Sequence, residues 1–186
     1  MQNFAHNPAP TQTSSFVSSF VLPSVSPSVS PSVDFGRAVS AWQVELSASR
    51  AAYLRQADSE FVQMLDGYRS SGGLARFREV AELCARRGGP DIAMLSASLA
   101  HKEIICVEWQ SQGWLPLFQF NCLDMTIRPQ IEPVVAELSC IYSPWDLAFW
   151  FSQPNPWLGD RAPADALMSD LAIVLQAARA DRFIAT

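Results

Sequence analysis

Ser143-Pro144-Trp145-Asp146-Leu147-Ala148-Phe149-Trp150-Phe151-Ser152-Gln153-Pro154-Asn155-Pro156-Trp157-Leu158-Gly159 carries three of the chain's six tryptophans and marks its own ends. Ser143 is a helix-capping residue type, and Asp146 completes a Ser-x-x-Asp capping pattern. Pro144 suits the first helical position, because the N–H it lacks would have no partner there. The stretch therefore predicts a helix from Pro144 to about Ser152, stopped because Pro154 disfavours helical backbone at Gln153. Asn155-Pro156 then predicts a fixed turn carrying Trp157, Leu158 and Gly159. Indoles on a stiff turn supply contact area at small entropic cost, as protein-binding anchors do. Trp145, Phe149, Trp150 and Trp157 suit a small core equally well, since aromatic side chains are mostly buried.

Outward from this stretch the carboxy-terminal part reads as helical throughout. Ile131, Val134, Val135 and Leu138 take helical spacing after Arg128-Pro129, and Pro133 is close enough to the helix start to be tolerated. A short helix is predicted at Pro163 to Met168. Another runs from an Asp170 cap to about Ala180, with Leu171, Val174 and Leu175 inward. The last residues, Arg179 to Thr186, mix charges with the apolar Phe183 and Ile184.

Toward the amino end, Leu74 to Arg87 predicts a helix with Leu74, Phe77, Val80, Ala81 and Cys84 on one stripe and Gly88-Gly89 as its stop. Pro90-Asp91 opens a further short helix to Leu99 or Ala100. The run His101 to Gln110 follows, in which Ile104, Ile105 and Val107 suit a β-strand as well as a helix, and then comes an extended Trp114 to Phe120. This order resembles a helix-turn-helix with a wing. Its charges do not favour DNA: Arg76, Arg78, Arg86, Arg87 and Lys102 are matched by Glu79, Glu82, Asp91, Glu103 and Glu108, whereas phosphate neutralisation needs a cationic surplus. A DNA contact would fall to Arg86, Arg87 and Lys102.

Asp34 to Gly88 holds no proline, and Phe35, Val39, Trp42, Leu46, Ser49, Tyr53 and Gln56 fall on alternating four- and three-residue steps. This is a heptad seam, apolar only in its first half, and it predicts a short helix–helix or homodimer contact through Phe35, Val39, Trp42 and Leu46. A second series, Phe61, Leu65 and Tyr68, restarts at an Asp58 or Ser59 cap and ends at Gly72-Gly73. Residues 1–33 repeat Pro-Ser-Val-Ser from Pro23 onward and bury too little to offset their ordering entropy, so they read as a disordered tail or spacer.

The whole is mainly α. A disordered tail spans 1–33, a helical region with a degenerate helix-turn-helix-like part spans 34–112, and a helical bundle, entered through a short extended or β element, spans 113–186. The net charge of -5 argues against a general nucleic-acid or anionic-membrane binder. No run approaches the roughly 18 apolar residues of a membrane span, and no basic residue precedes Arg37 as a secretory signal would require, so a cytoplasmic location is expected. Cys84, Cys106, Cys122 and Cys140 stand at wide intervals, as reduced core thiols rather than a disulfide framework or zinc site.

Five segments together resemble the toxin-binding domain of the Xre/MbcA/ParS antitoxin family. They are Trp-Leu-Pro-Leu-Phe-Gln-Phe at 114–120, Arg128-Pro129, Ser-Pro-Trp-Asp-Leu-Ala at 143–148 with Trp150-Phe151, Pro-Asn-Pro-Trp-Leu-Gly at 154–159, and Ala-Pro-Ala-Asp-Ala-Leu at 162–167. Relatives commonly carry Gly-Gly where this chain has Gly159-Asp160. The resemblance covers about residues 114–180. It implies a small helical bundle that blocks a RES-type toxin, an NAD-consuming enzyme, by direct contact, with no cofactor and no chemistry of its own. It also implies dimerisation and, in many members, an upstream operator-binding helix-turn-helix.

On this reading the partner-binding residues are Trp150, Asn155, Trp157, Leu158, Gly159, Arg179, Arg182 and Phe183: the Trp157 loop anchors and the Arg179 to Phe183 end obstructs. Residues 129–186 hold Glu132, Glu137, Asp146, Asp160, Asp165, Asp170 and Asp181 against Arg161, Arg179 and Arg182. Such an acidic surface is drawn to the electropositive mouth of a dinucleotide site. An enzyme is not expected. The chain has no phosphate-binding Gly loop, nucleophile elbow or His-Glu-x-x-His pair, and His101 reads as a helix-end or surface residue.

Overall fold

The computed structural model describes residues 34–185, and side-chain surroundings from Gln43 onward. The expected tail at 1–33, and the Phe35, Val39 and Trp42 half of the seam, lie outside the described side chains. The residues from 45 onward form a compact unit that holds the sheet and both apolar clusters. The described residues are mainly helical, with seven α-helices and one three-stranded sheet. No helix among them is long and apolar enough to cross a membrane.

Helix α1 runs without interruption over Asp34–Gly67. The fresh start expected at Asp58 does not occur, because the Asp58 carboxylate instead accepts the Trp109 indole N–H at 3.0 Å. The inward residues at its carboxy end are Phe61, Met64 and Tyr68, with Leu65 exposed. Met64 therefore takes the place of Leu65 in the expected Phe61, Leu65 and Tyr68 stripe. The Tyr68 hydroxyl donates to the Ala148 carbonyl at 2.5 Å. Gly67 is packed so closely that an added Cβ would lie 2.3 Å from the Ser152 carbonyl oxygen.

Gly72 and Gly73, with φ of 111° and 87°, turn the chain into strand β1 (Leu74–Arg76), where the sequence pattern predicted the first turn of a helix. The reason is long-range pairing. Leu74 to Arg76 lie antiparallel to strand β3 (Gln112–Pro116), which fills backbone hydrogen bonds that a helix's first turn leaves open. Helix α2 (Phe77–Arg87) follows. The Glu79 carboxylate accepts the Arg76 N–H at 3.0 Å, and Gly88 at φ 84° closes the far end. Helix α3 (Ile92–Ala100) is capped by Asp91, whose Oδ1 accepts the Met94 N–H at 2.8 Å. Strand β2 (Val107–Trp109) joins β3 through Gln110 and Ser111, both at positive φ, as tight hairpin turns require. The sheet order is β1-β3-β2. The boundary expected at 112/113 thus falls within the central strand, and the sheet continues across it.

Gln119 is completely buried, and its side chain closes this part of the fold. Its oxygen accepts the Ile105 N–H, and its amide donates to the carbonyls of Ile105 (2.9 Å) and Pro116 (3.0 Å). One buried side chain thus serves three backbone groups, the N–H and C=O of Ile105 and the C=O of Pro116.

Four further helices complete the unit: α4 (Glu132–Leu138), α5 (Pro144–Ser152), α6 (Pro163–Ala166) and α7 (Leu171–Ala185). Helix α5 has the predicted limits and the predicted capping box, with Ser143 Oγ accepting the Asp146 N–H and the Asp146 carboxylate accepting the Ser143 N–H. Asp170 accepts the Ile173 N–H as a cap at 3.1 Å. Helix α7 continues to Ala185, beyond the expected end at about Ala180. The main apolar cluster joins Phe61, Met64 and Tyr68 to residues of α4, α5 and α7, such as Val134, Leu138, Phe151 and Val174. A second, around Val80, Cys84, Leu95 and Leu115, lies under α2 and α3. Of the four free cysteines only Cys84 is fully buried, and Cys122 and Cys140 are exposed, which corrects the expectation of core thiols throughout.

Candidate interaction surface

The turn after α5 is rigid for reasons visible atom by atom. Asn155 accepts the Trp157 N–H on its side-chain oxygen at 2.9 Å, and its carbonyl accepts the N–H groups of Leu158 (2.9 Å) and Asp160 (3.1 Å). The Asn155 N–H donates to the Arg161 carbonyl at 3.1 Å, which closes the loop. Gly159 and Asp160 both hold left-handed backbone, at φ 63° and 60°.

The sequence-derived site residues divide sharply here. Asn155 and Leu158 are buried, and Trp150 is half-buried. Asp181 Oδ2 on α7 accepts the Trp150 indole N–H at 2.7 Å and the Asn155 side-chain N–H at 3.1 Å. These side chains, with Gly159 supplying the turn, fasten the loop to α7. Trp157 is left outward, 59% exposed, at the tip of the loop they hold.

Phe183, 85% exposed, stands on the last turn of α7. Arg179 and Arg182 reach back to α4, to Glu137 at 3.5 and 2.7 Å, and that carboxylate is only 18% exposed. Two cations around one shielded carboxylate brace α7 against α4, and they keep a partly buried charge from standing uncompensated.

Sequence reasoning placed Asp181 and Glu137 in an acidic surface and missed their bonds. No local pattern marks them, since Asp181's partners lie 26 and 31 positions away and Glu137's lie 42 and 45 away.

Of the residues named for a DNA contact, Arg86 and Arg87 close α2 and Lys102 follows α3. Arg86 and Lys102 are exposed, while Arg87 donates to the Cys122 carbonyl. Helix α3 contains no charged residue and exposes Ile92 and Met94, at 62% and 60%. His101 ends α3, exposed, with Nδ1 3.9 Å from the Glu103 carboxylate.

Beside the turn, Tyr142, Asp146, Phe149, Trp150, Gln153, Pro154 and Asn155 enclose an open notch of about 310 Å³. Burial, and then the charges of Asp181 and Asp146, push the Tyr142 phenol up from its ordinary value of 10.0. No group of three or more His, Cys, Asp or Glu residues among the described residues is gathered as a metal site would need.

Comparison with protein-family models, with curated proteins and with solved structures finds no match for the chain.

Proposed function

We propose that this protein is an antitoxin-like blocker that binds a RES-type NAD-consuming toxin by direct contact, with α4 to α7 serving as its toxin-binding bundle. The observation that carries the reading is Trp157, an exposed indole on a loop whose backbone is fixed by Asn155 and Asp181. An aromatic anchor on a preorganised loop binds with a smaller ordering penalty. The residue pattern shared with Xre/MbcA/ParS antitoxins between 114 and 167 supplies the partner class. The acidic balance of the same region supplies attraction toward a dinucleotide-phosphate site. Phe183, on the exposed end of α7, is the group placed to enter a cleft; Arg179 and Arg182 act by bracing that helix.

Co-expression with a RES-type enzyme tests this reading. The native chain restores growth, and Trp157→Ala combined with Phe183→Ala does not. Full rescue by the double variant at equal protein level removes the interface.

A second reading, an autoregulator acting on operator DNA, draws on the succession of α2, α3 and the β2–β3 hairpin. The α3 surface disfavours it, because Ile92 and Met94 stand where a major-groove helix needs polar or basic side chains. A gel shift across salt concentrations separates the two, since DNA binding through few cations gives a shallow salt slope. Homodimerisation through Phe35, Val39, Trp42 and Leu46 belongs to the same proposal. Leu46 is 66% exposed, and sedimentation of Leu46→Glu against the native chain tests it.

A further inference from the structure

We propose that the notch between α5 and the 153–155 segment, walled by Tyr142, Asp146, Phe149, Trp150 and Asn155, is a receptor for a guanidinium side chain presented by a protein partner. The inference rests on the protein-binding reading for where the guanidinium comes from, and not on which toxin supplies it.

Three features converge. Three of its lining residues are aromatic, Tyr142, Phe149 and Trp150, and a planar cation gains from lying over aromatic faces. The cavity of about 310 Å³ is open to solvent on one side and has room for a long side chain entering end-on. Its charge is negative and unbalanced. Asp146 accepts from the Ser143 N–H (3.3 Å) and the Ser143 hydroxyl (2.6 Å), and Asp181, bonded to two of the walls, accepts from the Trp150 and Asn155 N–H groups. All of these donors are neutral. Among the described residues neither carboxylate takes part in a salt bridge, whereas Glu137 on α4 holds two arginines.

The notch therefore has one carboxylate, Asp146, in its wall and a second, Asp181, bonded to two of its lining residues, with no cation among the described residues bridged to either. Burial first, and then both carboxylates, push the neighbouring Tyr142 phenol up. A guanidinium satisfies the site because it supplies the positive charge, N–H donors for the free carboxylate lone pairs, and a flat face for the rings. A neutral side chain of the same shape supplies only the last two. The site lies next to the loop that holds Trp157, so a partner seated on that indole has an arginine pocket within the same footprint.

The full chain is titrated with Nα-acetyl-arginine amide and, separately, with Nα-acetyl-citrulline amide, the neutral isostere. The readout is the Trp150 indole N–H and the Tyr142 ring signals in NMR spectra. The arginine compound shifts both signals saturably and the citrulline compound does not. Asp146→Asn and Asp181→Asn each keep one oxygen acceptor and remove the charge, and each weakens the arginine titration by about fivefold, the range of a partly exposed ion pair. Spectral dispersion elsewhere reports whether each variant is folded, and if Asp181→Asn is not, Asp146→Asn decides. Equal shifts from citrulline, no saturable shift from arginine, or native-strength binding by folded Asp146→Asn overturns the proposal. No toxin enters the assay, so failure of growth rescue and failure of the notch are separate results.

Discussion

Gln119 and Asp181 do the same job with opposite chemistry. Each is one side chain that fastens irregular backbone to regular structure: Gln119 ties Ile105 and Pro116 beneath the sheet, and Asp181 ties Trp150 and the Asn155 turn to α7. Gln119 is fully buried and neutral, so it matches donors and acceptors and leaves nothing over. Asp181 is half-buried and charged, and its two bonds go to neutral N–H groups, so a formal charge stays at the surface beside an exposed indole. A neutral amide suits a position that only has to be stable. A carboxylate costs more to bury and is informative where it is kept.

The comparison breaks most visibly at Gln119. Replacing it with Leu strips the Ile105 N–H and C=O of their partner inside the core, and the expected loss is about 3 kcal/mol of unfolding free energy in urea titrations, from stranded buried polar groups. Asp181→Ala strands only partly buried donors, and about 2 kcal/mol is expected by the same measurement. Asp181→Asn sharpens the contrast, because it retains an acceptor for Trp150 and Asn155 and is expected to cost well under that, about 0.5 kcal/mol. If Asn costs as much as Ala, the charge itself holds the loop, and the contrast between the two fasteners fails.

A third anchor, Tyr68, gives a pH handle. Burial raises its phenol well above 10.0, so the folded state holds the proton after the unfolded chain has released it. Its contribution is complete below pH 10 and is lost as pH rises from there toward the folded value, at up to about 1.4 kcal/mol per pH unit. Tyr68→Phe flattens that part of the alkaline stability curve. Smallest of all is Trp157→Ala, expected to change stability by less than about 0.5 kcal/mol because the ring is mostly in solvent, while costing about 2 to 4 kcal/mol in affinity for a partner that buries it. A large loss of thermal stability would instead make Trp157 another fastening residue.

Elements with local punctuation were legible in the sequence. The limits of α5 follow from Ser143-Pro144 and Pro154, the start of α3 from Asp91 and the end of α2 from Gly88, each acting within one helical turn of itself. Strand β1 was not legible, because Leu74 to Arg76 keep helical spacing with Phe77 and their true partners, Trp114 to Pro116, lie about forty residues on. The same blindness applied to the surface. The turn bearing Trp157 was readable from its prolines and Asn155, but which of its neighbours face inward was not, since that depends on Asp181 from a distant helix. Burial of Met64 in place of Leu65 on α1 has a related cause: the face buried is chosen by what packs against it, and both residues fit a helical period.

The contact of Gly67 with Ser152 makes the end of α1 a joint cut to a single tolerance. Any side chain there meets a carbonyl oxygen that belongs to α5 and cannot swing aside. The last turn of α1 and the helix leading into the Trp157 loop are thereby kept at one separation, and lineages descended from this chain have no freedom to enlarge that residue without re-laying the seat of the loop.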